Sequence, residues 1–244
     1  MQTTRNDRAA ALRPLWRRGG GIVTACAMAA LAAGPTLAFD AEAVAALMET
    51  HECFGCDLRE ADLTDAQLQD AYLTYSNMTG ATFVGAELRG GFLAYGILPE
   101  ADFSGADLSD ANLSNADARG AIFAHAVLAN ATIAGATFRD ADLSGADLTN
   151  LNGTNANLRF ATLAGADLVG ADLSGAALAS ADLTGANFAG AVLANAGLQG
   201  ADLTGAVLTD ASLNSADLTD AVLTDAVFCR TTMPDGTVNS SGCN

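Results

Sequence analysis

Hydrophobic and polar positions along this chain alternate with a period of five that runs from Cys56 to Arg230 without insertion or deletion. A small residue, nearly always Ala, opens each unit and Leu or Phe follows two places later, as in Ala61-Asp62-Leu63, Ala101-Asp102-Phe103, Ala141-Asp142-Leu143 and Ala201-Asp202-Leu203. A helix would repeat its apolar positions at spacings of three and four, and a plain strand would simply alternate. A period of five fits a short extended run followed by a turn. The two apolar positions, two places apart, then point inward together, as on one side of a strand. The fifth place is mostly Gly, Asp or Asn, including Gly80, Gly105, Asp140, Gly165, Asn195 and Gly205. These residues accept a positive φ or close a turn with their own side chains. Each unit is therefore one face of a coil that ends in a corner.

Two departures from the pattern are expected to compensate for themselves. Leu151 stands in a small-residue place while Gly153 stands in a large one, which keeps core volume roughly constant. Ala118 replaces a Leu, and Phe138, at the same place four units on, is expected to fill the space. Before the repeats, Ala41 to Thr50 carries Val44, Leu47 and Met48 on one helical stripe, predicting a short covering helix. After them, Thr232-Met233-Pro234-Asp235-Gly236-Thr237 has the turn chemistry of a small hairpin folded back on the last coil. Both would cover coil ends that otherwise present unpaired backbone and apolar side chains to water.

The segment 1–38 differs from all the rest. Arg5, Arg8, Arg13, Arg17 and Arg18 precede an apolar run from Ile22 to Ala33, and Gly34-Pro35 leads to a small-residue site ending at Ala38. This is the pattern of an export signal, with cleavage expected after Ala38. Arg17-Arg18 is followed by three glycines and not by the apolar residues of a twin-arginine signal, and too little apolar sequence precedes Cys26 for a lipidation site. The apolar run is also shorter than the roughly 20 residues needed to span a bilayer, so no membrane insertion is expected once the signal is removed. The sequence thus divides into an export signal at 1–38, an N-terminal cap with a short helix at 39–55, repeats at 56–230 and a C-terminal cap at 231–244.

Composition narrows the partners. Half of the residues are hydrophobic but only 6% are aromatic, a shortage of large side chains that a repeat tolerates because each unit buries its apolar positions against the next. The chain has no Lys, and removal of the signal leaves 6 basic residues against 27 acidic ones, a net charge of −21. Such a surface repels nucleic acid and anionic membranes. Four Cys remain after cleavage, an even number suited to an oxidising compartment. Cys53 and Cys56 open the repeats and Cys229 and Cys243 close them, so local pairing at each end is the natural arrangement. The second bridge would stabilise by about 3 kcal/mol for a loop of that length. Cys53-x-x-Cys56 also admits a redox pair or half a zinc site, but no βαβ context surrounds it and the two His, His51 and His125, stand far apart.

With its Ala-(Asp/Asn)-Leu-x-x unit kept in register from Cys56 to Arg230, the chain resembles the pentapeptide-repeat family. The resemblance implies an all-β fold, a right-handed quadrilateral parallel β-helix with four units per coil, so that every fourth unit stacks. Phe83, Phe103 and Phe123 recur at that interval, as do Arg119, Arg139 and Arg159, and the pairs Tyr72/Phe92 and Tyr75/Tyr95. Roughly nine coils, at an interstrand spacing of about 4.8 Å, make a rod on the order of 40 Å long. The start Cys-x-x-Cys-Asp-Leu and the tail Cys-Arg-Thr-Thr-Met-Pro-Asp-Gly also look like the termini of many such chains.

Three surface features are candidates for function. Asp ladders such as Asp182/Asp202 and Asp147/Asp167 place like charges about 5 Å apart; they confer solubility, and they lack the spaced ligands of a calcium loop. Tyr72, Tyr75, Phe92 and Tyr95 include all three Tyr of the chain, occupy outward or corner places on neighbouring faces, and lead toward outward Ile97. They form either a partner or dimer surface or a platform covered by the N-terminal helix or the signal-proximal segment. Arg119, Arg139 and Arg159 stack in consecutive coils, with Asp117, Asp140 and Asp142 placed to neutralise them and Phe160 alongside as a stacking surface for an anionic ligand. No nucleophile set, metal-ligand cluster, phosphate loop or acid pair is in register, so no enzyme, cofactor or metal is expected.

The expected function is an exported, non-enzymatic interaction or spacer module of the bacterial periplasm or exterior, monomeric or weakly dimeric, with protein partners and no nucleic acid. The resemblance supplies one rival, because the family includes cytoplasmic DNA mimics that bind gyrase and share this acidity; the export signal argues against it. A glycan-binding or glycan-acting β-helix is the other rival, and it would need a groove that an unbroken register leaves no room for.

Overall fold

The computed structural model describes residues 40–243; the segment 1–38 expected to be an export signal, and the cleavage expected after Ala38, lie outside them. Helix α1 spans Ala41–Thr50. Asp40 starts it, its Oδ1 accepting from the amides of Glu42 at 2.9 Å and Ala43 at 3.3 Å, which satisfies two of the N–H groups left free in a first turn. His51 ends it in the left-handed region, with φ 59, its amide donating to the Leu47 carbonyl.

From Glu52 onward the backbone winds in coils of four units each. Parallel bridges join second-place residues one coil apart, from Glu52↔Tyr72 through Asp102↔Ile122 to Ser212↔Thr232. Two hydrogen bonds carry each bridge: the third-place amide donates forward, as Leu68 to the Glu87 carbonyl at 2.8 Å, and the second-place amide donates back, as Glu87 to the Ala66 carbonyl at 2.9 Å. At the corners from Ala61 to Ala226 the next unit's first amide reaches back to a third-place carbonyl, as Ala71 to Leu68 at 3.1 Å. The fifth residue has positive φ throughout the repeats, at Gly80 (65°) and Asp110 (60°) but also at Tyr75 (62°), Tyr95 (56°) and Phe160 (60°). Aromatic side chains occupy that region rarely. Coil geometry overrides residue preference at these corners.

First- and third-place residues form one continuous core down the coil axis. Phe83, Phe103 and Phe123 stack inside it, with centroids 4.6 and 4.8 Å apart and planes inclined by 3°. The ladder ends where Leu143 takes the next place in its column. Phe138, in the adjoining column with Leu98 and Ala118, tilts 45° against Phe123 at 5.2 Å. Leu151 is buried in its small-residue place, and a Cβ added to Gly153 would stand 2.7 Å from Leu173 Cδ2. Neighbouring leucines therefore fill the space that glycine gives up.

The two ends are treated differently. Leu47 of α1 is fully buried and Ala43 and Val44 pack partly against the core, whereas Met48 is 43% exposed. The stripe expected to include Met48 is thus centred on Ala43, Val44 and Leu47, because the residue after Leu47 stands about 100° further round the helix. At the other end β1 (Thr231–Thr232) pairs antiparallel with β2 (Val238–Asn239), Thr231 opposite Asn239. Their turn is closed by the Met233 amide on the Thr237 carbonyl at 2.7 Å, with Gly236 at φ 81. Cys53 pairs with Cys56 and Cys229 with Cys243, at Cα separations of 5.4 and 4.7 Å.

Candidate interaction surfaces

Most second-place acids are engaged by their own turns. Asp102 Oδ1 accepts the Ser104 amide at 2.9 Å, Asp172 the Ser174 amide at 2.9 Å, and Asp202 both the amide (2.9 Å) and the hydroxyl (2.6 Å) of Thr204. Each carboxylate thereby closes a turn that begins two places on. The hydroxyl bond first, and the amide bond second, hold the Asp202 carboxyl below its ordinary value, as the same bonds from Thr219 do for Asp217. Asp182 and Asp202 are bridged one coil apart, as are Asp147 and Asp167. Hydrogen bonding within each unit accounts for Asp at this place without any bound ion.

The arginine column is divided among local partners. Arg119 forks onto Asp117, with Nε–Oδ1 and Nη2–Oδ2 both 2.7 Å, and these bonds hold the Asp117 carboxyl below its ordinary value against a smaller effect of burial. Arg139 Nε bonds Asp140 at 3.1 Å while its guanidinium carbon lies 5.0 Å from the Phe160 ring centre. Among the described residues the Arg159 guanidinium reaches only Asn157, at 3.5 Å. Asp142, expected to neutralise the column, instead accepts the Ser144 amide at 2.9 Å. The reason is reach: an Asp two places before an Arg, or next to it, meets the guanidinium, whereas one at the head of the next unit turns to its own Ser. Arg139 lies over the Phe160 ring, which is 49% exposed.

The aromatic residues converge. Tyr72 stacks on Phe92 at 4.7 Å and 16°, Tyr75 stacks on Tyr95 at 5.0 Å and 12°, and Phe54 meets Tyr75 edge-on at 5.5 Å. All five belong to units 51–55, 71–75 and 91–95, so they share one face of three successive coils and do not lie on neighbouring faces as expected. The outermost ring, Phe54, is 71% exposed, and the other four lie between 38% and 52%. Helix α1 buries Leu47 in the core and leaves this face open, which excludes it as the cover. Ile97, on the adjoining unit, is also exposed. Phe54 was missed because it precedes the first regular unit, although its position one place short of the Tyr75 column was visible in the numbering.

Comparison with known proteins bears on the fold. Among solved structures the chain is similar to HetL, a pentapeptide repeat protein involved in heterocyst differentiation regulation from the cyanobacterium Nostoc sp. strain PCC 7120, with 32% identity, 81% of this chain and 97% of that chain covered, and a TM-score of 0.53. It also matches a trypsin-treated form of QnrB1, a plasmid-mediated fluoroquinolone resistance protein, at 22% identity over 71% of this chain and 91% of that chain, with a TM-score of 0.31. A pentapeptide repeat protein of the Arabidopsis thaliana thylakoid lumen matches at 37% identity over 45% of this chain and 66% of that chain, with a TM-score of 0.21. No curated protein sequence matches. The family model for pentapeptide repeats matches in eight copies between residues 52 and 235. With that much of its length matched, and with a four-unit coil whose corners fall at every fifth residue, the chain belongs to the pentapeptide-repeat family.

Proposed function

We propose that this protein is an exported, non-enzymatic interaction or spacer module of the bacterial cell envelope, and that the aromatic face of units 51–55, 71–75 and 91–95 is where it meets a protein partner. The observation that carries this reading is the gathering of Phe54, Tyr72, Tyr75, Phe92 and Tyr95 on one exposed face. Solvent-exposed aromatic rings concentrated in one place are enriched at protein contacts, where they supply much of the binding energy. The remaining surface is dominated by carboxylates, which keep the rod soluble. Export rests on the arginine-rich and then apolar pattern of residues 1–38. On this reading about nine coils, about 4.8 Å each, hold the aromatic face toward one end of the rod, with α1 as its nearer cap.

The test is fractionation of the native host followed by proximity labelling with the tagged full-length chain and its Tyr75→Ser/Tyr95→Ser variant. The expected result is a chain processed after Ala38 outside the cytoplasm, with a few reproducible envelope neighbours that disappear with the variant. An unprocessed cytoplasmic chain labelling gyrase would replace this proposal with the DNA-mimic reading. An exported chain whose neighbours are unchanged by the variant would move the contact away from the aromatic face.

A further inference from the structure

The C-terminal end of the repeats is only half covered. Unit 231–235 forms the first limb and turn of the hairpin, and the segment after the hairpin lies against unit 226–230: Phe228 is buried, its carbonyl accepts the Gly242 amide at 2.7 Å, and Thr231 is buried with its hydroxyl on the Leu208 carbonyl. Over residues 216–225 the cover stops. Leu218, Ala221 and Leu223 are only partly buried, although their counterparts one coil earlier, Leu198, Ala201 and Leu203, are fully buried.

The backbone of these two units ends in unused hydrogen-bonding groups. One coil earlier the amides of Leu203 and Gly205 donate to the carbonyls of Val222 and Thr224 at 2.8 Å, and the Ala201 carbonyl accepts the Val222 amide at 2.9 Å. Among the described residues the amides of Leu218, Asp220, Leu223 and Asp225 have no acceptor, and the carbonyls of Ala216 and Ala221 receive no backbone amide. Such an edge is a template for another strand. Its charge selects the strand. The charged residues of 216–225 are Asp217, Asp220 and Asp225, and the nearest arginine, Arg230, is turned onto Asp210 at 2.6 Å. A second copy docked by a two-fold axis would set these acids against themselves, whereas a basic segment would neutralise them.

We infer that the edge formed by residues 216–225 is a docking site for an extended, basic segment of another protein, which continues the parallel ladder. The segment that fits carries a small residue and a branched apolar residue two places apart facing the end of the leucine core, Lys or Arg outward, and Gly or Asn where it turns opposite the Asp220 corner. This site lies at the opposite end of the repeats from the aromatic face and stands or falls separately from it.

A fluorescein-labelled probe, Ala-Lys-Leu-Lys-Gly-Ala-Lys-Leu-Lys-Gly, titrated with the full chain and followed by anisotropy, tests the inference. Methylating the backbone nitrogens of both Lys residues that precede Leu in the probe removes pairing donors and keeps the charge. Asp220→Asn/Asp225→Asn removes charge at the edge while Asn still accepts the left-handed corner, and Asp65→Asn/Asp70→Asn makes the same change far from it. The expected result is saturable binding weakened about tenfold or more by probe methylation and by the first pair of substitutions, and unaffected by the second. Absence of binding, binding indifferent to methylation, or equal losses with both Asn pairs would overturn the inference. So would a concentration-dependent dimer that excludes the probe, which would assign the edge to a second copy.

Discussion

The inner ladder of Phe83, Phe103 and Phe123 and the outer ladders of Tyr72/Phe92 and Tyr75/Tyr95 have almost the same geometry, with centroids from 4.6 to 5.0 Å apart and planes within 16° of parallel. A four-unit coil stacks whatever residues share a column, inside or out, so stacking by itself does not mark a site. Exposure does. The inner rings are fully buried and fill volume, whereas the outer ones are 38–52% exposed and fill none that the core requires. The same reasoning applies to the second-place aspartates and the arginine column, which also repeat coil by coil but mostly bond within their own turns, with Arg139 also reaching Phe160 one coil away.

Breaking the inner ladder is expected to have the largest effect. Phe103→Ala should cost about 3–5 kcal/mol, measured as a lowered midpoint of chemical denaturation; a loss below about 1 kcal/mol would show that the ladder is not packed as described. Gly153→Ala comes next. Its new Cβ would meet Leu173 Cδ2 at 2.7 Å, and overpacking of this kind costs about 1–3 kcal/mol, so a thermal melt unchanged from the parent would contradict the leucine filling. Tyr75→Ser/Tyr95→Ser removes an exposed ladder and should change stability by no more than about 1 kcal/mol while removing the partner contact; a loss equal to that of Phe103→Ala would make the outer ladder structural after all.

The smallest effect is expected at the turn carboxylates. Asp202 and Asp217 have lowered pKa values in the folded chain, from hydroxyl and then amide hydrogen bonds. A lowered folded value contributes stability that is present above the unfolded pKa, about 3.9, and is lost as pH falls through the folded one. Asp202→Asn should therefore melt slightly below the parent at pH 7, with the gap closing below about pH 3.9. A gap that persists at pH 2 would mean that the charge on Asp202 is not what the Thr204 bonds favour.

Much of the fold was legible because the residues that determine it are local. Asp40 and the apolar spacing of Ala41–Thr50 specify α1 within one segment, Pro234-Asp235-Gly236 specifies a turn, and the Leu151/Gly153 exchange falls in one unit. The surface was less so. Phe54, Met48 and Asp142 were misplaced or missed because an outward side chain has several rotamers and chooses among neighbours on its own unit and on the coils above and below.

Where most corners fall, and which two residues of every five turn inward, is already written in the order of amino acids, since Gly, Asp or Asn at most fifth places and a period of two within each unit are properties of single residues and near neighbours, while the coil imposes the corner at Tyr75, Tyr95 and Phe160. Only the wound coil shows that Tyr72, Tyr75 and Phe54 share a face, that Arg139 covers Phe160, and that the edge at residues 216–225 stays open. Those outcomes depend on what lies one coil away and on which units the terminal hairpin folds against, and both are set by packing between segments distant along the chain.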